Sequence, residues 1–157
     1  MTIWMNRVLL LLVFAIYWGG LTFYTGIVVR ISHDVLNDPM DGGLITQRVT
    51  AWLQILGAAA VVLMLMNALI VAKRSTLHGG LLIGCSSILG CAVLGLFIVH
   101  GQLDAVIDVS NATIIDRDGF TIGHQRYNQL TTVQWIASLV YLVITVFAWH
   151  RLDTQLT

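Results

Sequence analysis

Four long stretches without a single Asp, Glu, Lys or Arg decide what this chain can become. The first, Val8 to Val29, is 22 residues long and is bracketed by Arg7 and Arg30. Further uncharged runs extend from about Val49 to Ala72, from about Gly79 to Val99 and from about Leu130 to Trp149. Crossing the hydrocarbon layer of a bilayer takes about 20 apolar residues in helical form, so each run is a candidate span. The expected fold class is an all-α membrane protein. It is an antiparallel four-transmembrane-helix bundle with a small hairpin-like outer loop, a single membrane domain over residues 1–157.

Composition points the same way. The chain is 57% hydrophobic and 10% charged, against about 25% charged in soluble domains. Water alone cannot be the solvent of such a surface, and the lipid bilayer is the first partner expected. Net charge is zero, so there is no basic footprint and nucleic acid is excluded as a partner. The start of the first run looks like a signal peptide, but apolar residues continue past Gly19-Gly20 and no A-x-A site follows. An uncleaved anchor helix is expected. Cys85 and Cys91 lie six apart in one run, about 600° of helical rotation, and so face too far apart for a disulfide.

The connections differ in character. Spans two and three are joined by Lys73-Arg74-Ser75-Thr76-Leu77-His78, a tight basic hairpin. The longer loops, about 30–48 and 100–129, hold Asp34, Asp38, Asp41, Asp104, Asp108, Asp116 and Asp118. Lys and Arg are split four against four between the two sides. Arg48 and Arg126 read as parts of helix starts, however, and the Lys73-Arg74 pair sits in a short loop. The positive-inside rule then places both termini in the cytoplasm, as for a multi-pass protein of a bacterial inner membrane. Within the second long loop, Ala112–Ile115 and Phe120–Ile122 read as a hairpin around Asp116–Gly119.

Helices in lipid associate through small residues that let backbones approach. Gly84, Ser87, Cys91 and Gly95 form such a stripe on the third span. Gly19, Gly20 and Gly26 serve the first span, and Gly57 with Ala58, Ala59 and Ala60 the second. All are expected to pack within the bundle.

Polar residues at membrane depth are where chemistry would sit. Gln47, Thr50 and Gln54 share a face of the second helix, and His124, Tyr127 or Asn128, Thr131, and Gln134 or Trp135 recur at helical spacing on the fourth. Tyr17, Trp18 and Tyr24 come from the first span. The expected outer cluster is Tyr24, Gln47, Arg48, Arg126 and Tyr127. His100 and His124 are the candidate ligands for a haem or copper cofactor, with His33 a third nitrogen for a metal. Their spacing is not diagnostic, and helix-end histidines also hydrogen-bond carbonyls. The arginines are able to meet an anionic headgroup, or equally to snorkel. No nucleophile–base pair, phosphate loop or intramembrane carboxylate pair occurs, so no catalytic residue is assigned and a proton-driven pump is disfavoured.

The segments Trp18–Val29, Gly43-Leu-Ile-Thr-Gln-Arg-Val-Thr50 and Phe120-Thr-Ile-Gly-His-Gln-Arg-Tyr127 resemble the transmembrane protein 205-like family. These are small four-helix membrane proteins whose shared domain has no assigned function. The resemblance implies the fold over nearly the whole length and little about activity. Where members carry proline after the first apolar run, this chain has Arg30, which leaves the end of the first helix open. The layout is more loosely similar to HemJ-type protoporphyrinogen oxidases and copper-resistance D proteins.

Three functions follow as expectations. The foremost is a non-enzymatic subunit or assembly partner of a membrane complex, binding other membrane subunits or a second copy of itself. The alternatives are a haem- or metal-binding redox protein using the outer histidines, and a small-solute or metal-ion transporter acting as an oligomer.

Overall fold

In a computed structural model of the chain, which describes residues 3–36, 39–108, 111 and 113–154, helix dominates. Helix α1 (Ile3–Phe23) passes through one π-helical turn (Tyr24–Val28) into α2 (Val29–Val35). Helix α3 (Pro39–Ala72), α4 (Thr76–Ala105), two short strands β1 (Ile107–Asp108) and β2 (Thr113–Ile114), and α5 (Arg117–Thr154) follow. Among the described residues, four helical segments are long and apolar enough to cross a membrane. All-α class and the bundle are therefore as the sequence led one to expect.

The helices are longer than the uncharged runs because polar ends project beyond the apolar centre. Pro39 opens α3, where its missing N–H costs nothing. The first helical path continues past Arg30 to Val35. Asp116 caps α5: its Oδ1 accepts from Gly119 N at 3.0 Å, and its carbonyl accepts from Phe120 N. That cap overturns the expected hairpin. Phe120–Ile122 are helical, and the strands that do pair antiparallel are β1 and β2, Ile107 opposite Ile114. An aspartate whose side chain accepts from the amide three residues on and whose carbonyl accepts from the amide four residues on is a helix start, and the apolar triplet after it takes the helical period.

Helix α4 lies along both α3 and α5, while α1 runs mainly beside α3 and touches α5. The start of α1 and the end of α5 share one end of the bundle with the 73–75 hairpin, and the start of α3 and the end of α4 meet at the other. The interior combines apolar clusters around Leu10, Phe14, Met64, Leu82 and Leu89 with a set of polar side chains. Asn6, Thr50, Gln54, Asn67, Ser86, Gln134, Ser138 and Thr145 are all buried, whereas Leu12, Ile16, Val62, Leu94, Ile98 and Phe147 are exposed. Along α5 the buried face reads Gln134, Ser138, Tyr141, Thr145, Ala148, one residue per turn. This is the arrangement lipid imposes: apolar side chains outward, hydrogen-bonding ones against each other.

The expected packing of small residues holds only in part. A Cβ on Gly57 would stand 3.0 Å from Tyr17 Cε2 and 3.3 Å from Gln134 Nε2, and one on Gly95 3.1 Å from Leu130. Gly84, Ser87 and Cys91, by contrast, are exposed. The inward face of α4 is Leu82, Ser86, Leu89, Val93 and Leu96. Gly84 is two residues from Leu82, about 200° around the helix, and so lies on the opposite side. Gly19 and Gly26 likewise meet no side chain.

Candidate functional site: a polar chamber between the helices

Three helices meet at the loop end around a chain of contacts. Gln47 on α3 donates through Nε2 to Asp104 Oδ1 on α4 at 2.6 Å. Asp104 also faces His100 one turn earlier, 3.6 Å from Oδ2 to Nε2. The His100 ring lies 6.5 Å from the Tyr127 ring of α5. The Tyr127 hydroxyl accepts from Gln54 Nε2 of α3 at 3.2 Å, which closes the circuit.

Below this rim is a cavity of about 20 Å³, lined in part by Tyr17, Thr50, Gln54, Tyr127, Thr131 and Gln134. Tyr17, Gln54 and Gln134 are each 2% exposed. Three buried atoms on the lining residues, the Tyr17 hydroxyl, Gln54 Oε1 and Thr131 Oγ1, have no hydrogen-bond partner among the described residues. A cavity needs about 10–15 Å³ and two to four polar partners to hold one water, and this one meets both conditions. Gly57 makes the chamber possible, since any side chain there would push Tyr17 or Gln134 out of place. Beside it, Trp18 and Trp135 stack at 5.3 Å, and the Trp135 indole donates to Thr22 Oγ1 at 2.9 Å.

A second network lies deeper toward the hairpin end. Asn67 Nδ2 donates to the Tyr141 hydroxyl at 2.9 Å, which donates to the Met64 carbonyl at 2.7 Å. Trp149 Nε1 donates to Asn67 Oδ1 at 3.1 Å. Over the Trp149 ring sits the Arg7 guanidinium, 5.1 Å from its centroid, and Arg7 makes a two-bonded pair with Asp153 at 2.7 and 2.9 Å.

The candidates named from sequence separate into two groups. Gln47, His100 and Tyr127 join the rim, and Tyr24 is buried in the π-helical turn. Arg48 and Arg126 are exposed and do not line the chamber. His124 is exposed and lies 4.5 Å, ring to ring, from Phe120 on its own helix. Its surroundings differ from those of His100. The side chain of His33 lies outside the described residues. Among the described residues, no three His, Cys, Asp or Glu side chains converge.

Asn67, Ser138, Tyr141 and Thr145 were passed over in the sequence. A lone amide deep in an apolar run, and hydroxyls repeating at helical spacing, were the signals that mark them. Set against known proteins, the chain matches no family model, no curated protein and no solved structure.

Proposed function

We propose that this multi-pass membrane protein acts as a non-enzymatic subunit or assembly partner, and that its contact face is the outer side of α4. The observation that carries this reading is the outward line of Gly80, Gly84, Ser87 and Cys91, all exposed. A Cβ built on Gly80 or Gly84 would meet nothing within 4 Å. Lipid is filled equally well by leucine, whereas a row of small residues over three turns, two of them glycine, lets a second helix approach closely. The chamber supports the reading from the other side. Its volume of about 20 Å³ suits one water, too little for a substrate and for a permeation path through one copy. Kinship with the transmembrane protein 205-like family, through the segments named above, belongs to the same proposal.

Cys91 supplies the test. Thiol cross-linking in native membranes is expected to give a covalent adduct that survives Cys85→Ser and disappears with Cys91→Ser. Gly84→Leu, which fills the face without touching the bundle, is expected to lower its yield at least tenfold. An adduct of twice the chain mass identifies a second copy, and any other mass a different subunit. A protein that remains monomeric and yields no Cys91 adduct in its own membrane sinks the proposal.

A further inference from the structure

At the hairpin end a second cavity, of about 220 Å³, opens between the start of α4 and the last turns of α5. It is roughly ten times the volume of the polar chamber. Its polar wall is Arg74, Ser75, His78 and Arg151, and Leu77 and Leu152 form part of its apolar wall. Two arginines thus converge on one space from two different elements. Among the described residues neither makes an ion pair, and the one carboxylate nearby, Asp153, is bonded by both nitrogens of Arg7, its charge reaching Arg74 only as a lesser, longer-range attraction.

The rest of the wall is arranged for an acceptor-rich guest. Ser75 precedes α4 without a side-chain cap, because its hydroxyl instead bonds His78 Nδ1 at 2.8 Å. The first backbone hydrogen bond of the helix runs from Gly79 N to Ser75 O, which leaves the amides before it without helical acceptors. Guanidinium forks match phosphate oxygens in pairs. Leu77 is 67% exposed beside these cations, so the charged and apolar walls adjoin at one level.

We propose that this cavity binds a phosphate group of net negative charge, one not neutralised by a cation on the same headgroup, with Arg74 and Arg151 as its counter-charges and Ser75 and His78 as hydrogen-bonding partners. The adjoining apolar wall fits a phosphate that carries acyl chains. The same oxygens are also offered by free phosphate.

The full-length protein in neutral detergent, studied by native mass spectrometry with a mixture of phosphatidylglycerol and phosphatidylcholine, tests the idea. The expected result is a retained phosphatidylglycerol adduct. Its enrichment over phosphatidylcholine should fall about fivefold for each arginine replaced in Arg74→Gln and Arg74→Gln/Arg151→Gln. Lys73→Gln, next in sequence but outside the cavity, should leave the enrichment unchanged. Millimolar inorganic phosphate is the second arm, read on the unaltered protein so that it does not depend on how the variants fold. Displacement of the lipid assigns the site to phosphate from either source, and retention assigns it to the lipid headgroup. Equal enrichment in the double variant, equal loss with Lys73→Gln, or no adduct at all overturns the proposal.

Discussion

Asn67 and Tyr141 meet in the middle of the bundle, both 1% exposed, with the amide of one donating to the hydroxyl of the other at 2.9 Å. Removing the hydroxyl with Tyr141→Phe breaks this bond and the one to the Met64 carbonyl. Side-chain bonds between helices in lipid are worth about 0.6 kcal/mol on average and seldom above about 1.7. Tyr141→Phe is expected to lower stability by about 1 kcal/mol. Asn67→Leu, which also strands the Trp149 indole, is expected to cost about 1–2 kcal/mol. Reversible unfolding in mixed micelles measures both. A more stable Asn67→Leu protein would remove the network from the account of stability.

Neighbouring glycines on α4 give a sharper contrast. A methyl at Gly79 collides with the Cα and Cβ of Ala72, whereas one at Gly80 meets nothing. Ala72 ends α3 and cannot move without moving the hairpin. Gly79→Ala is expected to cost about 1–3 kcal/mol. Gly80→Ala should be neutral or slightly stabilising through helix propensity, by less than about 1 kcal/mol. The difference in melting temperature between the two variants checks the close approach directly.

An experimental structure of high resolution is expected to place one ordered water in the chamber, within reach of the Tyr17 hydroxyl, Gln54 Oε1 and Thr131 Oγ1. Thr131→Val removes one of its partners at nearly constant volume and should destabilise by about 1 kcal/mol. A dry chamber, or a Thr131→Val protein of unchanged stability, contradicts the assignment.

The pair of Arg7 and Asp153 is tested by exchange. Arg7→Asp and Asp153→Arg are each expected to lower the melting temperature, and the double exchange to recover part of the loss. The aspartate is half exposed, so the recovered part should shrink in high salt as the pair is screened. Recovery will be incomplete, because an aspartate at position 7 cannot lie over Trp4 and Trp149 as the guanidinium does.

The number of the helices and their apolar centres were legible because uncharged length is a signal that needs no periodicity, whereas their polar ends were not. Which way each helix faces was not. Leu, Ile and Val surround these helices almost evenly, so the apolar pattern that orients a helix in water is missing. Orientation is written in the polar residues, and only part of that record was read. Thr50, Gln54, Tyr127 and Gln134 led to the chamber. Asn67 and Thr145 sit in runs of uniform apolar character, and Tyr141, the partner of Asn67, has the sequence surroundings of any membrane aromatic. Gly84, Ser87 and Cys91 fit an inner contact as well as an outer one from spacing alone. Only the position of Leu82, Ser86 and Leu89 decides between them. The 120–122 triplet is helical because Asp116, which fits a turn equally well by residue type, caps α5.

The link between Arg7 and Asp153 joins residues 146 positions apart, which has a consequence for biogenesis. Helix α1 enters the bilayer early in synthesis, with its arginine still unpaired. It acquires its counter-charge only when the far end of α5 leaves the ribosome. Until then α1 has mainly α3 to pack against. Truncation before residue 153 should therefore leave the first helix the most readily extracted from the assembly and the first to be degraded.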